Sequence, residues 1–323
     1  MAHPERAHDG ARAMAQAHGG GIVGRMVACL TGVVAGLLLL VGSAFGVRAM
    51  SGGDTSKSDG AAGTQLSSTR SLRSSTPSLS RASTSPGPGR SAALAVIPVP
   101  PVSAAQRAAL PRSTTFATVQ GLPRLPDADS KGQVVHISRD EVGFATPGGK
   151  PVTVLPSTQL GLDTWLPIID RRPGWLQVRL PSRPNGSVSW VSAAGLRTAR
   201  TDWRVRVDLG TGTMTVTKAG VQQGRWMVGH GAATTPTPVG QTFLLAGFVD
   251  PSVTFSPVIY ALGTHSDTLD TFGGGPGTVA VHGWPTAAGR SGKISHGCVR
   301  VPAAALSMFG RLPTGTPVDI TAA

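Results

Sequence analysis

The chain shows three successive patterns of hydrophobic and polar positions. Residues 26–47 contain no charged side chain over 22 positions, long enough for a helix to cross a bilayer core of about 30 Å. Residues 48–130 are rich in Ser, Thr, Ala, Gly and Pro and lack periodic apolar positions. From residue 131 onwards, apolar and polar positions alternate in short runs, which is the pattern of half-buried β-strands. The sequence therefore predicts a membrane span, a tether and a mainly β folded part.

The apolar run is interpreted as a single-pass signal anchor that follows a cytoplasmic N-terminus, residues 1–25. The alternative is a cleaved signal peptide, whose apolar region is normally about 7–15 residues long. The residues that close the run, Val47, Arg48 and Ala49, make a poor cleavage site. Beyond the span, the composition of residues 48–130 cannot bury enough apolar surface to offset the entropy of ordering, so this linker is predicted to be disordered.

The segment 131–197 is predicted to be a small β-domain. Five short strands are indicated by the runs QVVHIS, PVTVLP, WLPIID, WLQVRL and VSWVSA, separated by turns that contain Gly and Pro. Five short strands in fewer than about seventy residues suit a small barrel. The run GWLQVRLPSRPNGSVSWV, residues 174–191, resembles the bacterial SH3-like segment that precedes catalytic domains in actinobacterial wall enzymes.

The segment 198–323 is predicted to be a second β-rich domain with a short C-terminal helix. WRVRVDL and TMTVTK alternate around a Gly-Thr-Gly turn and predict a hairpin, and QTFLLAGF and TVAVHG are further strands. PAAALSMFGRL begins with a proline that suits a helix start. In that helix, Leu306, Phe309 and Leu312 are predicted to pack on the sheet.

The charge of the chain says little about a nucleic-acid partner. The 323 residues include 29 Lys and Arg against 16 Asp and Glu, a net charge of +13, but the excess is spread along the whole chain and aromatic residues are only 5%. Nucleic-acid binders usually concentrate basic and stacking side chains on one element. A diffuse positive field is more typical of work near an anionic membrane or cell wall.

The cysteine count points to chemistry rather than to disulfides. Only Cys29 and Cys298 occur, which excludes a disulfide-stapled scaffold and a cysteine-rich zinc module. Because Cys29 falls in the predicted span, Cys298 is the only thiol of the exported part. Its flanking Gly, His and Arg are unlike a buried apolar site, so nucleophilic catalysis is the stronger explanation.

Histidines close in sequence can activate that thiol. His282 ends the TVAVHG strand, and Cys298 follows sixteen residues later in SHGCVR. Either His282 or His296 could take the thiol proton, and Arg300 could favour the thiolate or orient an anionic substrate. A zinc site made of the two histidines and the cysteine is the weaker alternative, because no acidic base is nearby and the spacing is not a common zinc pattern.

The strings TPTPVG, GGGPGTVAVHG and SHGCVRV, within residues 200–320, resemble the catalytic domain of the L,D-transpeptidases, the YkuD family. The resemblance implies that Cys298 is the nucleophile, that His282 is the general base, and that the Gly283 carbonyl orients the His282 ring. It implies supporting roles around the acyl pocket for Ser295, His296, Gly297 and Arg300. Two further positions, His265 and Trp284, are tentative substrate contacts. Trp284-Pro285 replaces the small polar residues that often follow His-Gly in the family, which puts the cleft width and the acceptor in question.

The resemblance implies a mainly β chain, in which a small SH3-like β-barrel precedes an L,D-transpeptidase-type β-sandwich with a short C-terminal helix. It implies a membrane-anchored enzyme that forms 3→3 cross-links in peptidoglycan, through a cysteine thioester and without a cofactor or metal. The catalytic domain would lie on the extracellular or periplasmic side, and the partners would be stem peptides and the membrane, not nucleic acid. Two alternatives remain, a carboxypeptidase or endopeptidase with the same Cys-His pair and a non-catalytic wall-binding protein.

Overall fold

The computed structural model describes residues 95–272 and 275–322, so the predicted cytoplasmic segment and membrane span lie outside the described part. Within these residues, no helix is long and apolar enough to cross a membrane. The described chain is mainly β, as predicted, with 18 strands in two sheets and only short helical segments.

The first sheet is built from eight strands between residues 133 and 200. They are β1 (Gln133–Ile137), β2 (Glu141–Phe144), β3 (Pro151–Leu155), β4 (Thr158–Gln159), β5 (Leu162–Arg172), β6 (Trp175–Arg179), β7 (Val188–Ser192) and β8 (Arg197–Arg200). Their spatial order is β3-β2-β7-β6-β5-β1-β8, and β4 pairs with β5. All neighbours are antiparallel. The five predicted strands of this segment are confirmed as β1, β3, β5, β6 and β7.

The second sheet contains ten strands. They are β9 (Trp203–Asp208), β10 (Thr213–Lys218), β11 (Val221–Met227), β12 (Gly229–Gly231), β13 (Gly240–Phe248), β14 (Ile259–His265), β15 (Thr278–Gly283), β16 (Gly292–Ser295), β17 (Val299–Val301) and β18 (Pro317–Thr321). Their order is β11-β10-β9-β18-β13-β14-β15-β17-β12-β16. The predicted hairpin is confirmed as β9 and β10. The parallel pairing of β15 with β17 brings the sequence stretches TVAVHG and SHGCVR side by side.

The C-terminal helix packs on the second sheet as predicted. Two short α-helices occur in the described residues, α1 (Ala104–Ala109) and α2 (Ala303–Phe309), and Pro302 is the N-cap of α2 rather than its first helical residue. Leu306, Phe309 and Leu312 are all buried in the core of the second sheet. A proline is tolerated at this end because its missing N–H has no partner within the helix.

The two sheets share apolar core. Phe243, Leu245 and Ala246 of β13 belong to the same buried cluster as Val135 and Ile137 of β1. Burial of a phenylalanine side chain such as Phe243 contributes roughly 2 kcal/mol. The β13 strand is therefore hydrogen-bonded within the second sheet, and its side chains pack in both cores, with Leu244 in the core of the second sheet.

The predicted disordered linker is wrong for residues 95–130, which fold against the first sheet; its earlier part, residues 48–94, lies outside the described residues. The Ile97 carbonyl accepts a 2.8 Å hydrogen bond from Trp175 Nε1. Arg179, only 2% exposed, donates through Nη2 to the carbonyls of Leu125 at 2.8 Å and Ala128 at 2.7 Å. Burial lowers the pKa of that guanidinium to about 10.

The physical reason for this error is that the segment obtains its hydrogen bonds from the sheet. The Arg112 and Thr118 backbones form isolated bridges to Val154 and Arg183, and Arg124 forms one to Ser187. Backbone groups paired in this way satisfy the requirement that buried N–H and C=O groups find partners without a periodic apolar pattern in the segment itself. Composition alone could not reveal partners that lie tens of residues away.

Candidate active site

Register places His282 and Cys298 on one face of the second sheet. Val281 and Val299 are opposite each other in the parallel β15–β17 pair, and both are buried in the core. Because successive side chains point to opposite faces of a strand, the neighbours His282 and Cys298 belong to the face away from that core. Arg300 is the register partner of His282 and shares this face. The fold thus gathers a thiol, an imidazole and a guanidinium.

The His282 ring is held in one tautomer. Its Nδ1 lies 2.9 Å from the Gly283 carbonyl oxygen, and since a carbonyl only accepts, Nδ1 carries the proton and Nε2 keeps a lone pair. The Gly283 N–H donates to Ser256 Oγ at 2.8 Å, which fixes the end of the strand. Phe255 packs against the imidazole with a centroid separation of 5.1 Å. The ring is oriented to accept a proton at Nε2.

Burial keeps both reacting groups neutral near pH 7. Burial lowers the pKa of His282 to about 4, against a smaller opposite effect of its hydrogen bond to Gly283, and the Arg300 charge lowers it further. Burial also raises the pKa of the half-buried Cys298 thiol, while a hydrogen bond with the Ala280 backbone and the Arg300 charge act in the opposite direction. The resting pair is therefore a thiol and a neutral imidazole, suited to general-base catalysis rather than to a preformed ion pair.

A tight turn presents the thiol. Ser295 Oγ donates to the Cys298 carbonyl at 2.6 Å and accepts from the Gly297 N–H at 3.1 Å. Gly297 has φ 116°, a conformation that L side chains rarely adopt. The Gly297 amide is already bound to Ser295, so it does not supply a donor for an oxyanion. Ser295 and Gly297 shape the turn before Cys298, and their supporting role around the acyl pocket stays a prediction.

The stretch TPTP, residues 235–238, follows β12 and stabilises this turn by hydrogen bonds. Thr235 Oγ1 donates to the Ser295 carbonyl at 3.0 Å, and Thr237 Oγ1 donates to the Gly297 carbonyl at 2.7 Å. Thr237 Oγ1 also accepts the Gly231 N–H at 2.9 Å. In the sequence, this stretch stands only among the strings that resemble the L,D-transpeptidases. Its two threonines at alternate positions were the signal of a hydrogen-bonding role.

Arg300 stacks on an aromatic ring and forms no ion pair within the part of the chain that the structure describes. Its guanidinium carbon lies 3.6 Å from the centroid of the Trp284 ring, and its buried Nε has no hydrogen-bond partner among the described residues. Trp284 is half-buried, and its carbonyl accepts a 2.5 Å hydrogen bond from Arg290 Nη1. Cation–π contact holds the guanidinium in place and leaves its charge for an anionic ligand. Trp284 thus lines the site.

His296 lies at the outer edge of the site. Its side chain is exposed and stacks on Phe272 with a centroid separation of 4.8 Å. Among the described residues, the His296 side chain makes no hydrogen bond to Cys298, in contrast to Ser295. The structure therefore separates the two histidines near the thiol, with His282 buried and oriented and His296 at the rim. No group of three or more His, Cys, Asp or Glu that could hold a metal occurs within residues 95–272 and 275–322.

His265 is not placed to contact substrate, contrary to its tentative prediction. The residue is completely buried, and its Nε2 lies 2.6 Å from the Thr115 carbonyl oxygen. Thr115 also reaches the adjacent strand through a 2.6 Å contact between its hydroxyl and that of Thr278. His265 joins the 95–130 segment to the second sheet, and burial lowers its pKa to about 4.

Acid is expected to unfold the protein partly through His265. The pKa of an unfolded histidine is about 6.5, and burial lowers that of His265 to about 4 in the folded state. The contribution of neutral His265 to the free energy of unfolding is therefore fully present above pH 6.5 and is lost as pH falls towards 4. The difference corresponds to about 3 kcal/mol. Denaturant unfolding at pH 7.5 and 4.5 should show a His265→Gln variant losing about 2 kcal/mol less than wild type. An equal loss in both proteins would contradict this assignment, since His282 alone would then carry the effect.

One family model matches the part of the chain that contains the candidate site. Residues 202–320 match the family model YkuD, the L,D-transpeptidase catalytic domain. A search of curated proteins found no match. The match leaves out residues 131–197, whose SH3-like character stays a prediction.

Solved structures similar to this chain include several L,D-transpeptidases. One from Mycobacterium smegmatis is 15% identical, covers 46% of this chain and 91% of its own, and has a TM-score of 0.31. L,D-transpeptidase 3 from Mycobacterium tuberculosis is 16% identical, with 43% and 76% coverage and a TM-score of 0.32. The catalytic domain from Enterococcus faecium is 25% identical, with 38% and 98% coverage and a TM-score of 0.29. The part of the chain that matches the L,D-transpeptidase catalytic domain, residues 202–320, contains both His282 and Cys298.

Proposed function

We propose that the protein is a peptidoglycan L,D-transpeptidase that forms 3→3 cross-links through a thioester on Cys298. The observation that carries the proposal is the parallel β15–β17 register, which puts Cys298 and the oriented His282 on one face. The peptidoglycan substrate follows from the family of residues 202–320. The choice of residues for each step rests on the geometry of the site.

In the first half-reaction, Cys298 attacks the carbonyl between the third-position diamino acid and D-alanine. As the Sγ–carbon bond forms, the thiol proton moves to His282 Nε2. The carbon–nitrogen bond then breaks, and the imidazolium returns its proton to the departing amine of D-alanine. The products of this step are a thioester and free D-alanine, with the imidazole again neutral.

In the second half-reaction, an amine from a neighbouring stem attacks the thioester. A carbon–nitrogen bond forms as the carbon–sulfur bond breaks, and the proton lost by the amine passes through His282 to the sulfur. The unpaired charge of Arg300 on the same face suits an anionic group of the stem, and its stacking on Trp284 fixes where that group can bind. The cycle restores the thiol and consumes no further reagent.

We also propose that residues 26–47 anchor the protein in the cell membrane, with the catalytic domain on the wall side. The support is the uncharged run of 22 residues and the position of peptidoglycan outside the membrane. Cys298 would then work as a thiol in an oxidising compartment, where it has no second exported cysteine with which to form a disulfide.

Incubation of the full chain with tetrapeptide muropeptides tests this function. We expect cross-linked dimers and one released D-alanine per dimer, identified by mass spectrometry. Tripeptides without dimers would indicate water as the acceptor and hence a carboxypeptidase, and unchanged substrate would contradict the enzymatic proposal. A shorter fragment should begin at or before residue 95, because a fragment from residue 131 loses the backbone partners of Trp175 and Arg179.

A further inference from the structure

One arginine of the first sheet is bound to four carbonyls of the second. Arg183, in the turn between β6 and β7, donates from Nη1 to Pro276 at 2.5 Å and to Asp270 at 3.3 Å. Its Nη2 donates to Leu269 at 2.8 Å and to Ser266 at 3.2 Å. The two terminal nitrogens of a guanidinium carry four N–H groups, so each has an acceptor here. One side chain thus gathers carbonyls from both sides of the β14–β15 connection.

The neighbouring Asn185 binds the start of the same connection. Its Oδ1 accepts the His265 N–H at 2.9 Å, and its Nδ2 donates to the His265 carbonyl at 2.7 Å and to Asp267 Oδ1 at 3.0 Å. Arg183 is itself held by its backbone, which donates to the Ala117 carbonyl at 2.9 Å. The clamp, defined as Arg183 and Asn185, is therefore anchored in the first sheet and in the 95–130 segment.

The clamped segment, residues 265–272, leads to the edge of the proposed active site. It ends at Phe272, whose ring stacks on His296 two residues before Cys298. Hydrogen bonds within the segment are few and local: the Ser266 hydroxyl accepts the Leu269 N–H at 3.1 Å and the Thr268 N–H at 3.3 Å. Phe272 also pairs its own backbone with Gly275, by bonds of 3.0 Å and 2.9 Å. The side-chain hydrogen bonds that reach residues 266–270 from outside the connection come from Arg183 and Asn185.

We propose that Arg183 and Asn185 are positioning residues for the transpeptidase site. By fixing the segment that leads to Phe272, they hold the Phe272–His296 pair at the edge of the site, two residues before Cys298, where it can contact the donor peptide. The first sheet is in this view a working part of the catalytic unit. The inference rests on the proposed function for its kinetic effect, but the clamp itself can be tested without it.

The clamp should affect donor binding more than thiol chemistry. His282 and Cys298 are held by other contacts, the β15–β17 pairing and the bond from Gly283 to Ser256. Loss of the clamp would leave these in place and displace only the rim. We therefore expect Arg183→Ala to raise KM for a tetrapeptide donor about tenfold, with kcat changed less than about threefold. Lysine offers at most three donors from one point, so Arg183→Lys should be intermediate.

The experiment compares full-length wild type, Arg183→Ala and Arg183→Lys with Arg171→Ala as a matched control. Arg171 is also on the first sheet, but it is exposed and bonds Gln133 of its own sheet. Three quantities are measured: kcat and KM for D-alanine release, the alkylation rate of Cys298 with iodoacetamide, and hydrogen–deuterium exchange of amides 266–272. We expect Arg183→Ala to raise KM and speed exchange while alkylation stays unchanged, and the control to resemble wild type.

The outcomes separate the clamp from the enzymatic proposal. Unchanged exchange in Arg183→Ala, or an equal fall of alkylation and donor turnover, would overturn the positioning role. Faster exchange in an enzyme whose wild type releases no D-alanine would keep the clamp and reject the proposed reaction. If Arg183→Ala fails to fold by circular dichroism, Asn185→Asp decides the question by the same three measurements, since it keeps one oxygen acceptor and loses the donor to the His265 carbonyl.

Discussion

Replacing Cys298 by alanine should abolish D-alanine release, thioester formation and cross-linking, with a fall in turnover of more than about a thousandfold. The reason is that the thiol forms the only covalent bond to the donor in the proposed cycle. Turnover is measured by D-alanine release from tetrapeptide, and the thioester by intact-protein mass under acid quench.

The second cysteine of the chain provides the matched control. Cys29→Ala removes a thiol of the same kind from a segment remote in sequence from the site, and its turnover should equal that of wild type. Circular dichroism must show that the Cys298 variant is folded, which is expected because alanine removes only one heavy atom from a half-buried position. Cross-linked dimers made by folded Cys298→Ala would show that the thiol is not the nucleophile.

Replacing His282 by glutamine should lower kcat/KM for acylation by about 10²–10⁴-fold at neutral pH. Glutamine can still hydrogen-bond the Gly283 carbonyl, which His282 binds at 2.9 Å, but it cannot take the thiol proton. His136→Gln, on the first sheet, is the control and should leave acylation unchanged. The measurement is the rate of thioester formation under single-turnover conditions.

The pH dependence sharpens this prediction. With the pKa of His282 lowered to about 4 and that of Cys298 raised, wild-type acylation should persist at mildly acidic pH and fall only as pH approaches 4. The Gln variant should regain activity as pH rises and the thiolate forms without help, so the difference between the two proteins should shrink at high pH. A wild-type thiol that alkylates at a constant rate between pH 5 and 7 would instead reveal a preformed ion pair.

The residues proposed for catalysis, His282 and Cys298, could be proposed from the sequence because each lies in a short, local sequence motif. TVAVHG alternates, so its periodicity alone indicates that His282 faces away from the core, as the buried Val281 confirms. The turn residues Ser295 and Gly297 are adjacent to Cys298 and need no long-range information to be placed near it. Helix α2 was equally accessible, since the spacing of Leu306 and Phe309 suffices to define its buried face.

What the sequence could not reveal depends on contacts between distant segments. His265 is buried because Thr115, 150 positions earlier, caps its ring, and no local pattern encodes that pairing. The three-residue strand β17 exists only through its partners β15 and β12. Arg183 looks like an ordinary turn arginine until the fold brings four carbonyls to it. In each case the deciding free energy lies in tertiary hydrogen bonds rather than in propensity.

The hydrogen bond between the indole of Trp175 and the Ile97 carbonyl also affects how the protein would respond to a pulling force. Tension applied along the chain from upstream of residue 95 reaches the folded part first at this contact, on β6 of the first sheet. Val102 packs against the aromatic cluster of Phe144, Trp175 and Trp190. This contact and the Ile97 bond come earlier in the chain than the Thr115–His265 junction. The first load on the described residues would therefore fall on contacts of the first sheet, ahead of the junction that joins residues 95–130 to the second sheet.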